Sequence, residues 1–188
     1  MGLNPEAAAA DAVAARWELG ARAEKETARL LRPLWWRGWR IRHDRRLIGR
    51  RFNVDHVLIS PGGTAVVVAD TKRWHAGRTV TVSAGRLWCG AKERTEDRTG
   101  EAEKAARYAS AVAAALGMPT EAVWPLLIVH GSTVDGGHVQ VATRFGVVQV
   151  VAADQVLGVL RAASSGWSWV RCRRVAVRVS VVLPRYTG

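Results

Sequence analysis

Two aspartates and a lysine stand out in this chain of 188 residues, because their types and spacing could do chemistry. Asp55 lies near the start of one apolar segment, and Asp70 and Lys72 lie at the end of the next. Only the turn Pro61-Gly62-Gly63 separates the two segments, so the sequence predicts a β-hairpin. Since side chains alternate between the faces of a strand, Asp70 and Lys72 share a face, and an antiparallel register can bring Asp55 close to both.

Charged groups on an apolar strand pair need a partner, because an ionised side chain in an apolar interior loses several kcal/mol of hydration. Mg²⁺ prefers carboxylate oxygens and usually takes one or two of them, with water and substrate phosphate as its other ligands. At a phosphodiester, we expect Lys72 to orient an attacking water, or to help deprotonate it, and to offset charge on the phosphorus. The alternative is an ordinary ion pair between Asp70 and Lys72 at a strand end.

A third carboxylate lies on the predicted opening helix. Glu24 belongs to a stripe at helical spacing, whose members are Val13, Trp17, Gly20, Glu24, Thr27 and Leu31. The stripe predicts that Glu24 lies on the core side of the helix. Since glutamate is usually exposed, the alternative is a side chain at the edge of the stripe that reaches solvent.

Short blocks of sequence follow one another in a consistent order. They are Gly20-Ala21-Arg22-Ala23-Glu24, Ile41-Arg42-His43-Asp44, Asn53-Val54-Asp55-His56-Val57, and Asp70-Thr71-Lys72-Arg73-Trp74 followed by Gly77. In order and spacing these blocks resemble the nuclease-related domain (NERD) group of the PD-(D/E)XK nuclease superfamily. The resemblance covers roughly Trp17 to Val151 and is most specific between Gly20 and Gly77. Ala23 departs from it, because the family has a second glycine there.

The resemblance implies four catalytic residues. Asp55 and Asp70 would be metal ligands, Lys72 the catalytic lysine, and Glu24 an auxiliary acid or a support for the metal site from the helix. It also implies an α/β fold of the restriction-endonuclease type, with an α-β-β-β-α-β core in which helices cover a central mixed sheet. The implied activity is Mg²⁺-dependent hydrolysis of the phosphodiester bonds of DNA, with Mn²⁺ as a substitute metal.

Two other interpretations stay open. The chain could be a nucleic-acid-binding module that keeps the fold and the charge without turnover, or a subunit that needs a partner protein for activity. Since each chain would have one catalytic site, cutting both strands of a duplex together would require a homodimer.

The charge balance favours a polyanionic partner. The chain has 28 Lys+Arg against 16 Asp+Glu, which gives a net charge of +12. Arginines cluster between Arg29 and Arg51, where Trp35, Trp36 and Trp39 lie among them. Such a stretch could clamp a nucleic-acid backbone and stack on bases. The candidate nucleic-acid-binding residues are Arg37, Arg40, Arg42, Arg45, Arg46, Arg50, Arg51, Arg73 and Trp74.

That stretch has a structural alternative, in which its tryptophans close the core beneath the first helix and its arginines form a solvated rim. A membrane surface is disfavoured, because the segment lacks a sustained amphipathic period.

Several other classes of protein and site are disfavoured. No apolar run is long enough to span a bilayer, and the start Met1–Ala10 is helix-like rather than a signal peptide, so we expect a cytoplasmic protein with no membrane partner. Cys89 and Cys172 belong to no motif, which disfavours a disulfide framework or a thiolate zinc site. His56 should point away from Asp55, across the strand, and form a hydrogen bond in the core.

The length suits a single domain over residues 1–188, with the segment 152–188 completing the fold as a helix and a strand. The predicted elements are a helix from the Asn4–Pro5 cap to before Pro33 that Gly20 could bend or divide; strands 39–47, 54–60, 64–72, 78–83 and 86–89; a loop 90–100; a helix 100–116; a buried strand 123–130; a loop 131–137; strands 139–143 and 146–151; a helix 153–163; and a last strand 174–182.

Overall fold

The computed structural model describes residues 5–91, 94–163 and 166–186. Its helices are α1 (Pro5–Leu31), α2 (Thr99–Leu116), α3 (Val156–Ala163) and α4 (Trp169–Val182). Its strands are β1 (Arg40–Arg46), β2 (Asn53–Ile59), β3 (Val66–Arg73), β4 (Thr79–Ser83), β5 (Arg86–Ala91), β6 (Arg94–Asp97), β7 (Val123–His130), β8 (Thr133–Val134), β9 (His138–Thr143) and β10 (Gly146–Ala152). Short 3₁₀ helices cover Arg32–Arg37, Thr120–Ala122 and Asp135–Gly137.

The main sheet has six strands in the order β1-β2-β3-β7-β10-β9. Strand β7 pairs in parallel with both β3 and β10, and the other pairs are antiparallel, so the sheet is mixed. A smaller sheet of four strands, in the order β6-β5-β4-β8, is built largely from the chain between β3 and α2. Apart from that insertion, the order α1-β1-β2-β3-α2-β7 is the predicted α-β-β-β-α-β core, and the mixed α/β fold class is confirmed.

Helices cover both faces of the main sheet. On one face, α2 and α4 pack against Val57, Ile59, Val66 and Val68 of the central hairpin. On the other face, the end of α1 and helix α3 pack against a cluster that includes Leu58, Val67 and Ala69 of the same hairpin, together with residues of β7 and β10. Residues that alternate along one strand therefore face different helices, as the two-residue period of a strand requires.

Helix α2 approaches the sheet closely because its buried side is made mostly of alanine. The buried residues are those that the sequence predicts for this helix: Ala102, Ala105, Ala106, Ala109, Val112, Ala113 and Leu116. Gly117 ends the helix in the left-handed conformation, with φ of 56°, and its backbone N–H bonds to the last carbonyls.

The predicted last strand 174–182 is wrong, because this segment lies in helix α4. Valine occupies every second position from Val175 to Val181, which is typical of a strand. The helix is favoured instead by an N-terminal cap, in which Ser168 Oγ accepts a hydrogen bond from Arg171 N at 3.4 Å. Its buried residues also have helical spacing: Cys172, Ala176, Val179 and Leu183.

Smaller differences concern loops and ends. The predicted loop 90–100 contains β6, and the predicted loop 131–137 contains β8. Helix α3 begins three residues later than expected, at Val156, and α1 continues through Gly20 without division. The predicted cap Asn4 lies outside the described residues. None of the helices in the described part of the chain has the length and apolar character needed to cross a membrane.

Candidate active site

The β2–β3 register brings the two predicted aspartates to facing positions. Val57 pairs with Val68 and His56 pairs with Ala69, so the next step of the antiparallel register sets Asp55 opposite Asp70. The backbone N–H of Thr71 donates a hydrogen bond to Asp55 Oδ2 at 2.7 Å. That bond fixes one oxygen of Asp55 at the end of the strand pair.

Lys72 lies between carboxylates from two elements. Its Nζ is 2.6 Å from Asp70 Oδ2 on the same strand and 3.5 Å from Glu101 Oε2 on α2. Burial lowers the pKa of Lys72, but the attraction of Asp70, the hydrogen bond to it, and the charges of Glu101 and Asp55 outweigh burial and raise the pKa. The side chain is therefore an ammonium at neutral pH.

Asp55 lies in an environment that opposes its ionisation. Burial is the largest cause, the charge of Asp70 is the second, and Glu24 acts in the same direction; together they raise the pKa of Asp55 to about 7. The Thr71 N–H and Lys72 act in the opposite direction but do not compensate. A carboxyl that resists ionisation until a cation arrives is a feature of functional sites as well as of buried ion clusters.

Glu24 is half-buried on α1, beside this cluster. Burial raises its pKa, with further contributions from the charges of Asp44 and Asp70, and Lys72 opposes them. Within the described residues, Glu24 makes no hydrogen bond or salt bridge. The first half of the predicted helix stripe is not buried, since Trp17 is 76% exposed. Among the α1 side chains that the structure describes, the buried ones are Ala23, Thr27 and Leu31, so the helix packs on the sheet from about Ala23 onward.

A chain of buried hydrogen bonds lies on the opposite face of the hairpin from Asp70. Thr71 Oγ1 donates to Thr27 Oγ1 at 3.2 Å, and Thr27 Oγ1 lies 2.7 Å from His130 Nε2. Because the Thr71 hydroxyl has one proton and gives it to Thr27, His56 Nε2–H is the donor to Thr71 Oγ1 at 3.2 Å. His43 Nδ1 lies 2.8 Å from His56 Nδ1 and extends the chain toward β1.

The prediction that His56 bonds in the core is confirmed. The side chain is buried, and burial, followed by His43 and His130, lowers its pKa to about 3. A neutral imidazole can serve as the donor to Thr71 that the chain of bonds requires.

The carboxylates and Lys72 line an open cleft of about 1280 Å³. Its wall also carries basic and aromatic side chains: Arg51, Arg73, Arg98, Lys104, Trp17, Tyr108 and Tyr186. The cleft thus offers cations around an acidic centre. Cations at that position can bind the phosphates of a polyanion on either side of the carboxylates.

The candidate nucleic-acid-binding residues do not form one surface. Arg51, Arg73 and Trp74 line the cleft, where Trp74 is buried and the Arg98 guanidinium lies 5.4 Å from the centre of its ring. Three more, Arg40, Arg42 and Arg45, are partly buried on β1. Arg37, Arg46 and Arg50 are exposed, and none of them lines the cleft.

Two of the β1 arginines contact the end of the chain. Arg42 Nε donates to Ser180 Oγ at 3.4 Å, and Arg45 Nη1 donates to the Leu183 carbonyl at 3.4 Å. These contacts exist because the C-terminal segment is a helix on this face of the sheet, which the sequence did not predict.

Three further cleft residues had no signal in the sequence: Arg98, just before α2, and Glu101 and Lys104 in the first turns of α2. Their spacing places them on one side of the helix, together with Tyr108. Nothing in the local sequence indicates which strand this side meets. The contact of Glu101 with Lys72 depends on how α2 docks on the sheet.

The donor set fits a hard divalent cation held by two carboxylates. Within the described residues, no group of three or more His, Cys, Asp and Glu side chains is arranged to hold a metal ion. Asp55 and Asp70 each use one oxygen, for Thr71 N and Lys72 Nζ respectively, and neither Oδ1 has a hydrogen-bond partner in the described part of the chain. Two carboxylates with water and substrate phosphate are a usual Mg²⁺ environment.

Comparison with known proteins gives one family match. A family model described as the nuclease-related domain matches residues 19–130, which is more than half of the chain. The matched range includes Glu24, Asp55, Asp70 and Lys72 and ends with β7. No curated protein and no solved structure matched the chain.

Proposed function

Since this chain belongs to the nuclease-related domain family, we propose that it hydrolyses phosphodiester bonds of DNA with a divalent cation, Mg²⁺ or in its place Mn²⁺. The observation that carries the proposal is the convergence of Asp55, Asp70 and Lys72 at the end of one strand pair, in an open cleft with cations on its wall. DNA is proposed as the substrate because of the resemblance to the family.

Asp55 and Asp70 would hold the cation through their Oδ1 atoms, which have no hydrogen-bond partner among the described residues. A bound Mg²⁺ supplies Lewis-acid stabilisation of the charge that develops on the phosphoryl oxygens. The Thr71 N–H supports this role, because it orients the Asp55 carboxylate without neutralising it. Glu24 adds negative charge from α1 and is proposed as a support for the site.

Lys72 would act as a fixed cation. Its raised pKa keeps it protonated, which favours orientation of the attacking water and stabilisation of the phosphorus charge over removal of a proton. Glu101 holds the ammonium from α2 and therefore helps to position it. The basic wall residues Arg51 and Arg73 would bind flanking phosphates.

The first experiment is cleavage of supercoiled plasmid, of a labelled single-stranded DNA and of a labelled RNA, each with Mg²⁺, Mn²⁺ or EDTA. The variants are Asp70→Asn and Lys72→Gln, and the matched controls are Asp135→Asn and Lys25→Gln, at exposed positions. We expect metal-dependent cutting that both site variants abolish and both controls retain. Equal cutting by the site variants, or cutting in EDTA, would overturn the proposed site.

A binding module without turnover is the second candidate. The observation that favours it is the close ion pair between Lys72 and Asp70, which satisfies one oxygen of the carboxylate without a metal. Under this alternative no substrate is cut, and Mg²⁺ changes neither the affinity for DNA nor the stability of the protein.

A further inference from the structure

Four exposed tryptophans form a second surface, far from the cleft. They are Trp35 (58% exposed), Trp36 (83%), Trp167 (68%) and Trp169 (54%). They surround a small pocket of about 260 Å³, which Gly38, Arg40 and Pro61 also line. We call these four side chains the tryptophan patch. Large exposed aromatic groups in one place usually mark a binding surface.

The tryptophan patch lies at the other end of the hairpin from the carboxylates. Arg40 pairs with Ile59 at this end of the β1–β2 ladder, whereas Arg45 pairs with Val54, the neighbour of Asp55, toward the cleft. A strand rises about 3.3 Å per residue, so the separation between Asp55 and Pro61 is roughly 20 Å. The two surfaces are therefore distinct.

The backbone beneath the patch is held by close contacts between distant segments. Ser168 N donates to the Pro61 carbonyl at 3.1 Å. Gly63, with φ of 62°, packs against the backbone at the start of α4, where a Cβ would lie 2.6 Å from Cys172 N. The indole of Trp167 covers Gly38 so closely that a Cβ there would clash with the ring. Such contacts present the rings on a fixed platform.

The two chain segments that carry the tryptophans contain positive charges and no acidic residue. The 3₁₀ helix Arg32–Arg37 and the start of β1 contain Arg32, Arg37 and Arg40. Helix α4 contains Arg171 and Arg173. Neither residues 30–43 nor residues 155–188 contain an aspartate or a glutamate. The Arg173 guanidinium lies 5.3 Å from the centre of the Trp169 ring. Aromatic rings interleaved with guanidinium groups are the side-chain combination that binds single-stranded nucleic acid.

The shape of the patch favours a flat group over an apolar surface. The pocket is smaller than the roughly 300–1,000 Å³ of sites for drug-sized ligands, and its size suits one ring system. The Trp35 and Trp36 rings are tilted by 59°, with centres 5.3 Å apart, so the two rings do not form one flat face.

We propose that the tryptophan patch binds single-stranded nucleic acid, with unpaired bases stacked on its indoles and phosphates bound by the surrounding arginines. This is a second nucleic-acid site, and it does not require the cleft to be catalytic. In a chain that cleaves duplex DNA, it would hold a single-stranded portion of the substrate at about 20 Å from the scissile bond.

The test is the affinity for a fluorescently labelled 12-nucleotide oligothymidylate, measured by anisotropy on the full chain in EDTA, where metal-dependent cutting is absent. The variants are Trp36→Ala, Trp169→Ala and the two combined, and the matched control is Ile48→Ala, an apolar side chain that is 66% exposed elsewhere. We expect each tryptophan variant to weaken binding about fivefold or more, and the control to leave it unchanged.

Two further measurements separate stacking from other causes. Because indoles carry no charge, the salt dependence of binding should keep its slope in the tryptophan variants. Trp36→Tyr, which keeps a stacking ring, should recover most of the affinity lost in Trp36→Ala. Circular dichroism and thermal melting of each variant test that the fold is intact.

Unchanged affinity in the combined variant would overturn the proposal. So would loss of binding to vesicles of phosphatidylcholine and phosphatidylglycerol while oligothymidylate binding is unchanged, which would assign the patch to a membrane surface. Failure of the nuclease proposal is a different result: no substrate is cut by the wild type, while the tryptophan variants still lose oligonucleotide affinity.

Discussion

Replacement of Asp55 by asparagine should make the protein more stable at alkaline pH. The folded state raises the pKa of this carboxyl from 3.8 to about 7, chiefly through burial and the charge of Asp70. Below pH 3.8 the carboxyl is neutral in the folded and in the unfolded state, so its ionisation takes nothing from the stability of the fold. As the pH rises, the unfolded state loses the proton first, so stability falls until the folded carboxyl has also ionised, above about pH 7.

The magnitude follows from the difference between the two pKa values. Each unit corresponds to about 1.4 kcal/mol, so the whole difference amounts to about 4 kcal/mol. Roughly 3 kcal/mol of it falls between about pH 5 and pH 8.5, because the unfolded group is already largely ionised at pH 5. The Asp55→Asn variant avoids this loss, and its amide oxygen can still accept the bond from Thr71 N.

The assay is urea denaturation of wild type, Asp55→Asn and the exposed control Asp135→Asn, without metal, at steps from about pH 5 to 8.5. We expect the wild type to lose roughly 3 kcal/mol more than the Asp55→Asn variant over this range, and the control to follow the wild type. Parallel pH profiles for wild type and Asp55→Asn, or a variant that is less stable at pH 8.5, would refute the account of Asp55 as a destabilised carboxylate.

Three further predictions concern the site and its supports. If Asp55 must ionise to bind Mg²⁺, calorimetric affinity for the ion should fall about tenfold from pH 8 to pH 6; an affinity independent of pH would contradict this role. Thr27→Val removes a hydroxyl that joins two buried polar side chains and should cost about 1–3 kcal/mol of unfolding free energy; equal stability would show that these bonds are not formed. Gly63→Ala and its control Gly49→Ala both strain a residue with positive φ, but only Gly63 has backbone within 4 Å of the new methyl. Thermal melting should therefore show a loss for Gly63→Ala that exceeds the loss of about 1 kcal/mol in the control, and equal losses would contradict the close packing.

Local signals predicted the hairpin that carries the site. The Pro61-Gly62-Gly63 turn and two apolar segments determine which strands pair, and the period of two determines which side chains share a face. The register could not be predicted from the hairpin alone. It is fixed by the packing of alternate residues against helices on the two faces, which places Asp55 opposite Asp70.

Long-range docking accounts for what local signals could not predict. Between Arg174 and Val182 the strand and helix periods are both present, and the choice of helix depends on the hairpin surface against which Cys172 and Ala176 pack. In the same way, Glu101 contacts Lys72 only because α2 lies across the end of β3. The bond between Thr27 and His130 joins residues 103 positions apart, and neither has a sequence signal for the other.

Thr71 connects the two faces of the sheet at the candidate site. Its backbone N–H orients Asp55, while its side chain points to the opposite face and bonds to Thr27 on α1. Helix α1 thus acts on the carboxylates in two ways, through this bonded threonine and through the charge of Glu24. The two effects oppose each other, because the Thr27 bond holds the residue whose N–H stabilises the Asp55 carboxylate, whereas the charge of Glu24 raises the pKa of Asp55 and opposes its ionisation.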